Sequence, residues 1–125
     1  MKSIKYKSEF LNREIELDYV VNNKYKISDA FYFLDGQNAF SDDKATYGRS
    51  LHALKYLDKM KKGYIAIAIH SPKTDQERLN MYSPFIIDNG YLKDFKNNPK
   101  ICLQFVSEIE HIILPYIEHK YKISN

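Results

Sequence analysis

The chain has 125 residues, the size of one small domain. Hydrophobic residues make up 44% of it and charged residues 28%, so it can bury a core and is not a disordered tail. The 19 basic and 16 acidic residues give a net charge of +3 and are scattered along the chain. This argues against a nucleic-acid partner, which would need a concentrated basic face.

Cysteine usage and the N terminus indicate the compartment. The single cysteine, Cys102, cannot form an internal disulfide, which favours a reducing environment. The opening segment MKSIKYKSEF has no apolar h-region, and no apolar run is long enough to span a bilayer. We therefore predict a soluble cytoplasmic protein with no membrane partner.

Four strands are predicted. KSIKYKSEF (2–10) and REIELDYVV (13–21) alternate apolar and polar residues, and the short link between them predicts an antiparallel hairpin. AFYFL (30–34) and YIAIAI (64–69) are apolar throughout, as expected for strands buried on both faces.

A helix is predicted between the two buried strands, because Tyr47, Leu51, Leu54 and Leu57 recur at helical spacing. The resulting β-α-β unit should be a parallel, right-handed crossover. After the last strand, residues 70–98 are predicted to form a long loop, and loops of this length tend to be functional.

A long C-terminal helix follows. Asn98 is its predicted N-cap and Pro99 its first residue. Pro115 lies within the helix and lacks an N–H, and its ring crowds the carbonyl of His111, so a kink is predicted there.

The segments after the two buried strands contain polar, turn-forming residues. Asp35-Gly36-Gln37 follows the first strand, and His70-Ser71 follows the second. Ligands of open α/β sheets bind outside the carboxyl ends of the strands. We therefore expect these two segments to border one cleft.

Three segments carry a resemblance to a known family: FYFLDGQNAF (31–40), YIAIAIHSPKTDQERLNMYSPF (64–85) and FVSEIEHIILPYIEHKYKI (105–123). In order and spacing they resemble the esterase branch of the α/β-hydrolase superfamily, the enterochelin-esterase-like and S-formylglutathione-hydrolase-like enzymes. The resemblance spans about residues 14–123. Its most specific pieces are Leu-Asp-Gly-Gln at 34–37, Arg78 followed by Tyr-Ser-Pro at 82–84, and Leu-Pro-Tyr-Ile-Glu at 114–118.

This resemblance implies a fold and an activity. The fold is α/β, with a hairpin, a β-α-β unit and a long helix on a mixed, mostly parallel sheet. The activity is serine carboxylic-ester hydrolysis of a small ester, with no metal or organic cofactor. By position, the backbone N–H of Gln37 would be an oxyanion-hole donor, and Gly36, without a Cβ, would let the chain turn tightly before it. Asp35, Gly36 and Arg78 would border the substrate, and the alternative for Arg78 is a loop arginine in a surface ion pair.

The sequence also departs from the family. The nucleophile of these enzymes lies in a Gly-x-Ser-x-Gly elbow, but none of the four glycines here is two residues from another. The nucleophile, the acid and the general base are therefore expected outside this sequence. We predict a single partial domain over residues 1–125, the N-terminal half of an esterase, which is inactive alone.

Other candidate groups within the chain have simpler explanations. His70 and Ser71 are adjacent, so in extended backbone they point to opposite sides and do not form a base–nucleophile pair. Cys102 near a helix start could have a lowered pKa, but a buried structural thiol is the favoured interpretation. Glu108, His111 and His119 could be imagined as a metal-binding helix face, but solvated positions on the helix surface are the favoured interpretation. His52 is likewise predicted to lie on the surface of a helix.

Two other classes of function remain open. The chain could be a binding or assembly module that pairs with itself or with a C-terminal half through AFYFL, because in the superfamily that strand borders the absent nucleophile strand. An exposed apolar strand edge templates such pairing. The eleven tyrosines and seven phenylalanines also suggest a carbohydrate or polyphenol binder, but they form no clustered platform, so this reading ranks last.

Overall fold

The computed structural model of the protein describes residues 1–9, 11–86 and 96–121. Its described residues fall into two compact units. The first contains Met1–Tyr6 and Glu14–Ser71, and the second contains Lys7–Arg13 and Pro72–Tyr121. The single domain over residues 1–125 stays a prediction.

The first unit contains most of a four-stranded sheet. The strands are β1 (Lys2–Ser8), β2 (Arg13–Asn22), β3 (Ile27–Leu34) and β4 (Gly63–Ile69), and their order in the sheet is β1-β2-β4-β3. β4 pairs antiparallel with β2 and parallel with β3. The predicted mixed sheet, the adjacency of the first two strands and the parallel pair are confirmed.

The two apolar strands differ in burial. All seven residues of β4 are buried, as predicted. The prediction that residues 30–34 are buried on both faces is wrong, because β3 is the last strand in the described sheet order. Phe31 and Phe33 pack against the core, but Leu34 is 51% exposed.

The helix between β3 and β4 is much shorter than the apolar spacing predicts. α1 covers only Ala53–Leu57, and a 3-10 turn, Asp58–Met60, follows it. Tyr47 and Leu51 are 92% and 66% exposed. The segment before α1 is irregular because Asn38 and Asp42 side chains accept backbone N–H groups there, from Thr46 (2.9 Å) and Ser50 (2.8 Å).

The core of the first unit lies between α1, the segment after β3 and one face of β4. Alternate β4 side chains face it, because strand side chains alternate between faces. Its buried members are Ala39, Phe40, Ala53, Leu57, Tyr64, Ala66 and Ala68. The central strand is therefore fixed on both sides by hydrogen bonds and on this face by apolar packing.

The described residues of the second unit include three α-helices, α2 (Asp75–Tyr82), α3 (Pro99–Glu108) and α4 (Leu114–Tyr121). The prediction of an uninterrupted loop over residues 70–98 is wrong, since α2 lies within it. The Thr74 hydroxyl caps α2 by accepting the N–H of Glu77 at 3.3 Å. Residues 87–95 of the predicted loop lie outside the described residues.

The C-terminal helix is interrupted. Asn98 caps it by accepting the N–H of Lys100 at 3.1 Å, and Pro99 is its first residue, as predicted. A π-helical turn, Ile109–Ile113, separates α3 from α4. This turn lies directly before Pro115, whose missing N–H cannot bond the carbonyl of His111, and the kink itself stays a prediction. None of the helices described is long and apolar enough to cross a membrane.

Candidate active-site loop

The loop after β3 makes a sharp turn at its first residue. Asp35 has left-handed backbone angles, φ 58° and ψ 41°. A 3-10 turn, Gly36–Asn38, follows, in which Asn38 N–H donates to the Asp35 carbonyl and Ala39 N–H to the Gly36 carbonyl, both at 3.0 Å. The positive φ is therefore at Asp35, and Gly36 is required for another reason.

That reason is the close approach of Gly36 to the central strand. A Cβ at this position would lie 2.5 Å from the carbonyl carbon of Ala68 and 2.5 Å from the nitrogen of Ile69. Both are backbone atoms of β4, which cannot move aside without disturbing two strand pairings. Only glycine lets the loop lie against the end of β4.

The Asp35 carboxylate organises the loop. It accepts hydrogen bonds from Gln37 Nε2 (2.7 Å), Asn38 Nδ2 (2.6 Å) and the Ser71 hydroxyl (2.6 Å). Gln37 Oε1 in turn accepts the backbone N–H of Ser71 at 3.0 Å. The segments after β3 and β4 therefore lie together, and the expectation that they border one cleft stays a prediction.

The backbone N–H of Gln37 is a separate feature of the turn. The carbonyls of Asp35 and Gly36 accept the N–H groups of Asn38 and Ala39. The N–H of Gln37 takes part in neither of these two bonds. It is therefore a candidate donor for an external acceptor.

His70 and Ser71 bind different carboxylates. His70 Nε2 lies 2.8 Å from Asp18 Oδ2, whereas the Ser71 hydroxyl donates to Asp35. That the two residues form no base–nucleophile pair stays a prediction, which these separate partners favour.

A polar cluster surrounds Asp18, whose own side chain is buried, at 2% exposed. Its carboxylate accepts from the Ser3 hydroxyl and lies 2.8 and 2.9 Å from Lys44 Nζ. Burial alone would raise the pKa of Asp18, but the bonds from Lys44, Ser3 and His70 outweigh it and lower that pKa. The same carboxylate raises the pKa of Lys44 against the effect of its burial.

Three side chains of this cluster are of metal-ligand type. Ligand atoms of Glu16, Asp18 and His70 lie within 4.8 Å of one another. The Lys44 ammonium already bonds Asp18 and lies 3.5 Å from Glu16. A metal ion and Lys44 would compete for the same carboxylate, so the ammonium is the counter-charge of this cluster.

Sequence reasoning missed this cluster. Glu16 and Asp18 fall on the polar side of the alternating pattern of β2, which predicts exposure to solvent. The pattern could not show that Lys44, 26 residues after Asp18, lies over that side. No local signal in the sequence indicates the pairing.

Other predicted candidates lie in the second unit. Arg78 is a half-buried residue of α2. Cys102 is buried, and burial raises the pKa of its thiol, so the alternative of a lowered pKa is wrong.

Glu108, His111 and His119, the three residues imagined as a metal face, do not share one solvent-exposed face of the C-terminal helix. Glu108 is fully buried and accepts a hydrogen bond from the hydroxyl of Ser8, so its predicted exposure is wrong. His111 and His119 are exposed, as predicted. His52, in the first unit, is also exposed and lies 3.2 Å from Asp42.

Solved structures share this fold. A siderophore hydrolase, EstA from Aspergillus nidulans, is similar with a TM-score of 0.65 at 19% identity, over 96% of this chain and 43% of its own. An IroE-like serine hydrolase from Shewanella oneidensis is similar with a TM-score of 0.64 at 19% identity, over 95% of this chain and 38% of its own. The enterobactin esterase FES from Shigella flexneri is similar with a TM-score of 0.63 at 15% identity, over 98% of this chain and 27% of its own.

The match is one of structure. No protein-family model and no curated protein sequence matches the chain. The chain spans less than half the length of each of these hydrolases. Over that part, the chain has the α/β-hydrolase-type fold that they share.

Proposed function

We propose that this chain supplies the oxyanion-hole loop of a serine carboxylic-ester hydrolase. The backbone N–H of Gln37 would donate to the oxygen of the tetrahedral intermediate. The nucleophile, its general base and the acid would come from a segment beyond this sequence or from a partner chain. The supporting observation is the turn at residues 35–38, whose two backbone hydrogen bonds use the N–H groups of Asn38 and Ala39 and not that of Gln37.

The loop has the rigidity that this role requires. An oxyanion donor helps only if it is already in place when charge develops on the substrate oxygen. Asp35 would be the positioning residue, because its carboxylate ties the Gln37 and Asn38 side chains to Ser71. Gly36 would set the depth of the loop by lying against β4.

The remaining parts of the proposal rest on the family resemblance. Asp35, Gly36 and Arg78 would border a small ester substrate, and the reaction would use no metal or organic cofactor. A cytoplasmic location also belongs to the proposal, since the one cysteine of the sequence is a free thiol.

The first prediction is that the purified chain does not hydrolyse short p-nitrophenyl esters with saturation kinetics. An oxyanion donor without a nucleophile has no tetrahedral intermediate to stabilise. The rate should rise linearly with ester concentration, as expected for lysine and histidine side chains. Initial rates of the wild type and of Ser71→Ala should agree. Saturable turnover, abolished when a fluorophosphonate probe labels one serine, would contradict the proposal.

A second function, an assembly module, is favoured by the position of β3. This strand is last in the described sheet order, and it ends in a half-exposed leucine, Leu34. Its last five residues, AFYFL, contain no charge and no proline. We propose that β3 pairs with a second copy or with a separate C-terminal half.

The second prediction tests this edge. Light scattering of the chain should show association that increases with concentration. Leu34→Lys should weaken it, because a charge at a strand edge opposes pairing. Leu51→Lys is the matched control, since Leu51 is similarly exposed but outside the sheet. A monomer with strongly protected amides throughout residues 30–34 in hydrogen exchange would show that the edge is already covered.

A further inference from the structure

The second unit contains a cleft of about 150 Å³. It lies between the link from β1 to β2 and the helices α2 and α3. Part of its wall is apolar, formed by Leu11, Met81 and Ile101. Arg13, Glu77 and Asn80 also line it. None of these residues belongs to the loop at residues 35–38, so the cleft is independent of the function proposed above.

Arg13 is the unusual member of the lining. Its Nε atom is buried and has no hydrogen-bond partner among the described residues. A buried guanidinium donor without an acceptor is unfavourable, and such groups are rare in folded proteins. The guanidinium is a rigid fork of donors whose geometry matches a carboxylate. A ligand that reaches the terminal nitrogens of Arg13 in this cleft is therefore expected to be anionic.

The neighbouring polar groups are compatible with an anion. Asn80 Oδ1 accepts hydrogen bonds from the N–H of Asn98 (2.8 Å) and from Gln76 Nε2 (3.4 Å), an orientation that leaves its NH₂ group to donate. Glu77 is the one acidic residue of the lining, and its Oε2 accepts the hydroxyl of Thr74 at 3.0 Å. Its carboxylate is thus held in the cap of α2.

The apolar part of the wall distinguishes between anions. Inorganic phosphate would leave the side chains of Leu11, Met81 and Ile101 without an apolar partner. A cavity of about 150 Å³ in another protein holds one benzene ring. A small organic acid can place its carboxylate on Arg13 and its hydrocarbon part against the apolar wall.

We propose that this cleft binds a small organic monocarboxylate of about the size of benzoate. Arg13 would hold the carboxylate through its two terminal nitrogens, and Asn80 would add a third donor.

The test is a titration of the full chain with benzoate at neutral pH, followed by ¹H–¹⁵N NMR or calorimetry. Saturable binding is expected with a Kd of about 1 mM, since ligands of this size bind weakly. Arg13→Gln should weaken binding about tenfold or more, and Arg13→Lys by a smaller factor, because an ammonium cannot form the bidentate pair. Benzyl alcohol, which lacks the carboxylate, should bind about tenfold more weakly.

Arg49→Gln is the matched control, because it removes the same charge from an exposed position. It should leave the benzoate Kd unchanged. Thermal melting should show no loss of stability in Arg13→Gln or Arg13→Lys, since no partner of Arg13 Nε is lost. An absence of saturable benzoate binding, or an equal loss in Arg49→Gln, would overturn the proposal. Inorganic phosphate binding as tightly as benzoate through Arg13 would overturn the choice of an organic acid.

Discussion

Replacing Gly36 by alanine is expected to lower the free energy of unfolding by about 3 kcal/mol. The added methyl would lie 2.5 Å from two backbone atoms of β4, so either the loop or the central strand must move. β4 pairs with β2 on one side and β3 on the other, and all its residues are buried. The strain therefore cannot be relieved by rotating a side chain. Urea unfolding followed by circular dichroism would measure the loss.

Gly48→Ala provides the control for this prediction. Gly48 has a φ of 68°, and a Cβ there would meet nothing within 4 Å. Its substitution should lower stability by only about 1 kcal/mol, through backbone strain alone, and Gly48→Asn by less. If Gly36→Ala is no more destabilising than Gly48→Ala, then the close packing of residue 36 on β4 is not a determinant of stability.

The parts of the fold that were predictable have strong local signals. β4 is a continuous apolar run between polar segments, and such a run has little alternative to a buried strand. Asn98-Pro99 is a complete helix start, with a capping side chain followed by a residue that needs no N–H partner. A signal was also available for α2, since Thr74 and Glu77 have the spacing of a capping box, but the prolines around it favoured the loop interpretation.

The failures have tertiary causes. Tyr47 and Leu51 have helical spacing, but the Asn38 and Asp42 side chains bind the backbone around them and replace the helical hydrogen bonds. β3 has the composition of a buried strand, but its exposure depends on its place in the sheet order. Composition does not contain that information.

The candidate site was predicted in part for the same reason. Asp35-Gly36-Gln37 stood out as a turn at a strand end, and its contact with Ser71 follows from the parallel pairing of β3 with β4. The buried pairs did not stand out. Glu108 contacts Ser8 across 100 residues of sequence, and its spacing to His111 suggested a solvated helix face instead. Contacts at such separations leave no periodic pattern.

The proposed oxyanion donor can be tested in the assembled enzyme, with the nucleophile-bearing segment present. Gln37→Pro removes the backbone N–H, and kcat for ester hydrolysis is expected to fall about a hundredfold or more. The Michaelis constant should change much less, because the donor acts on charge that develops only in the transition state. Stopped or continuous ester assays over a range of concentrations would separate the two constants.

Gln37→Ala is the matched variant, because it keeps the N–H and removes the side chain. That side chain bonds Asp35 and the N–H of Ser71, so its loss should loosen the loop and lower kcat severalfold, but much less than proline does. Thermal melting of both variants identifies any part of the loss due to unfolding. If alanine and proline lower kcat equally, the Gln37 side chain or the integrity of the loop matters, and the backbone N–H is not the oxyanion donor. If proline lowers kcat much more than alanine does, and the two variants have similar melting temperatures, the backbone N–H is the oxyanion donor, because only the alanine variant keeps that N–H.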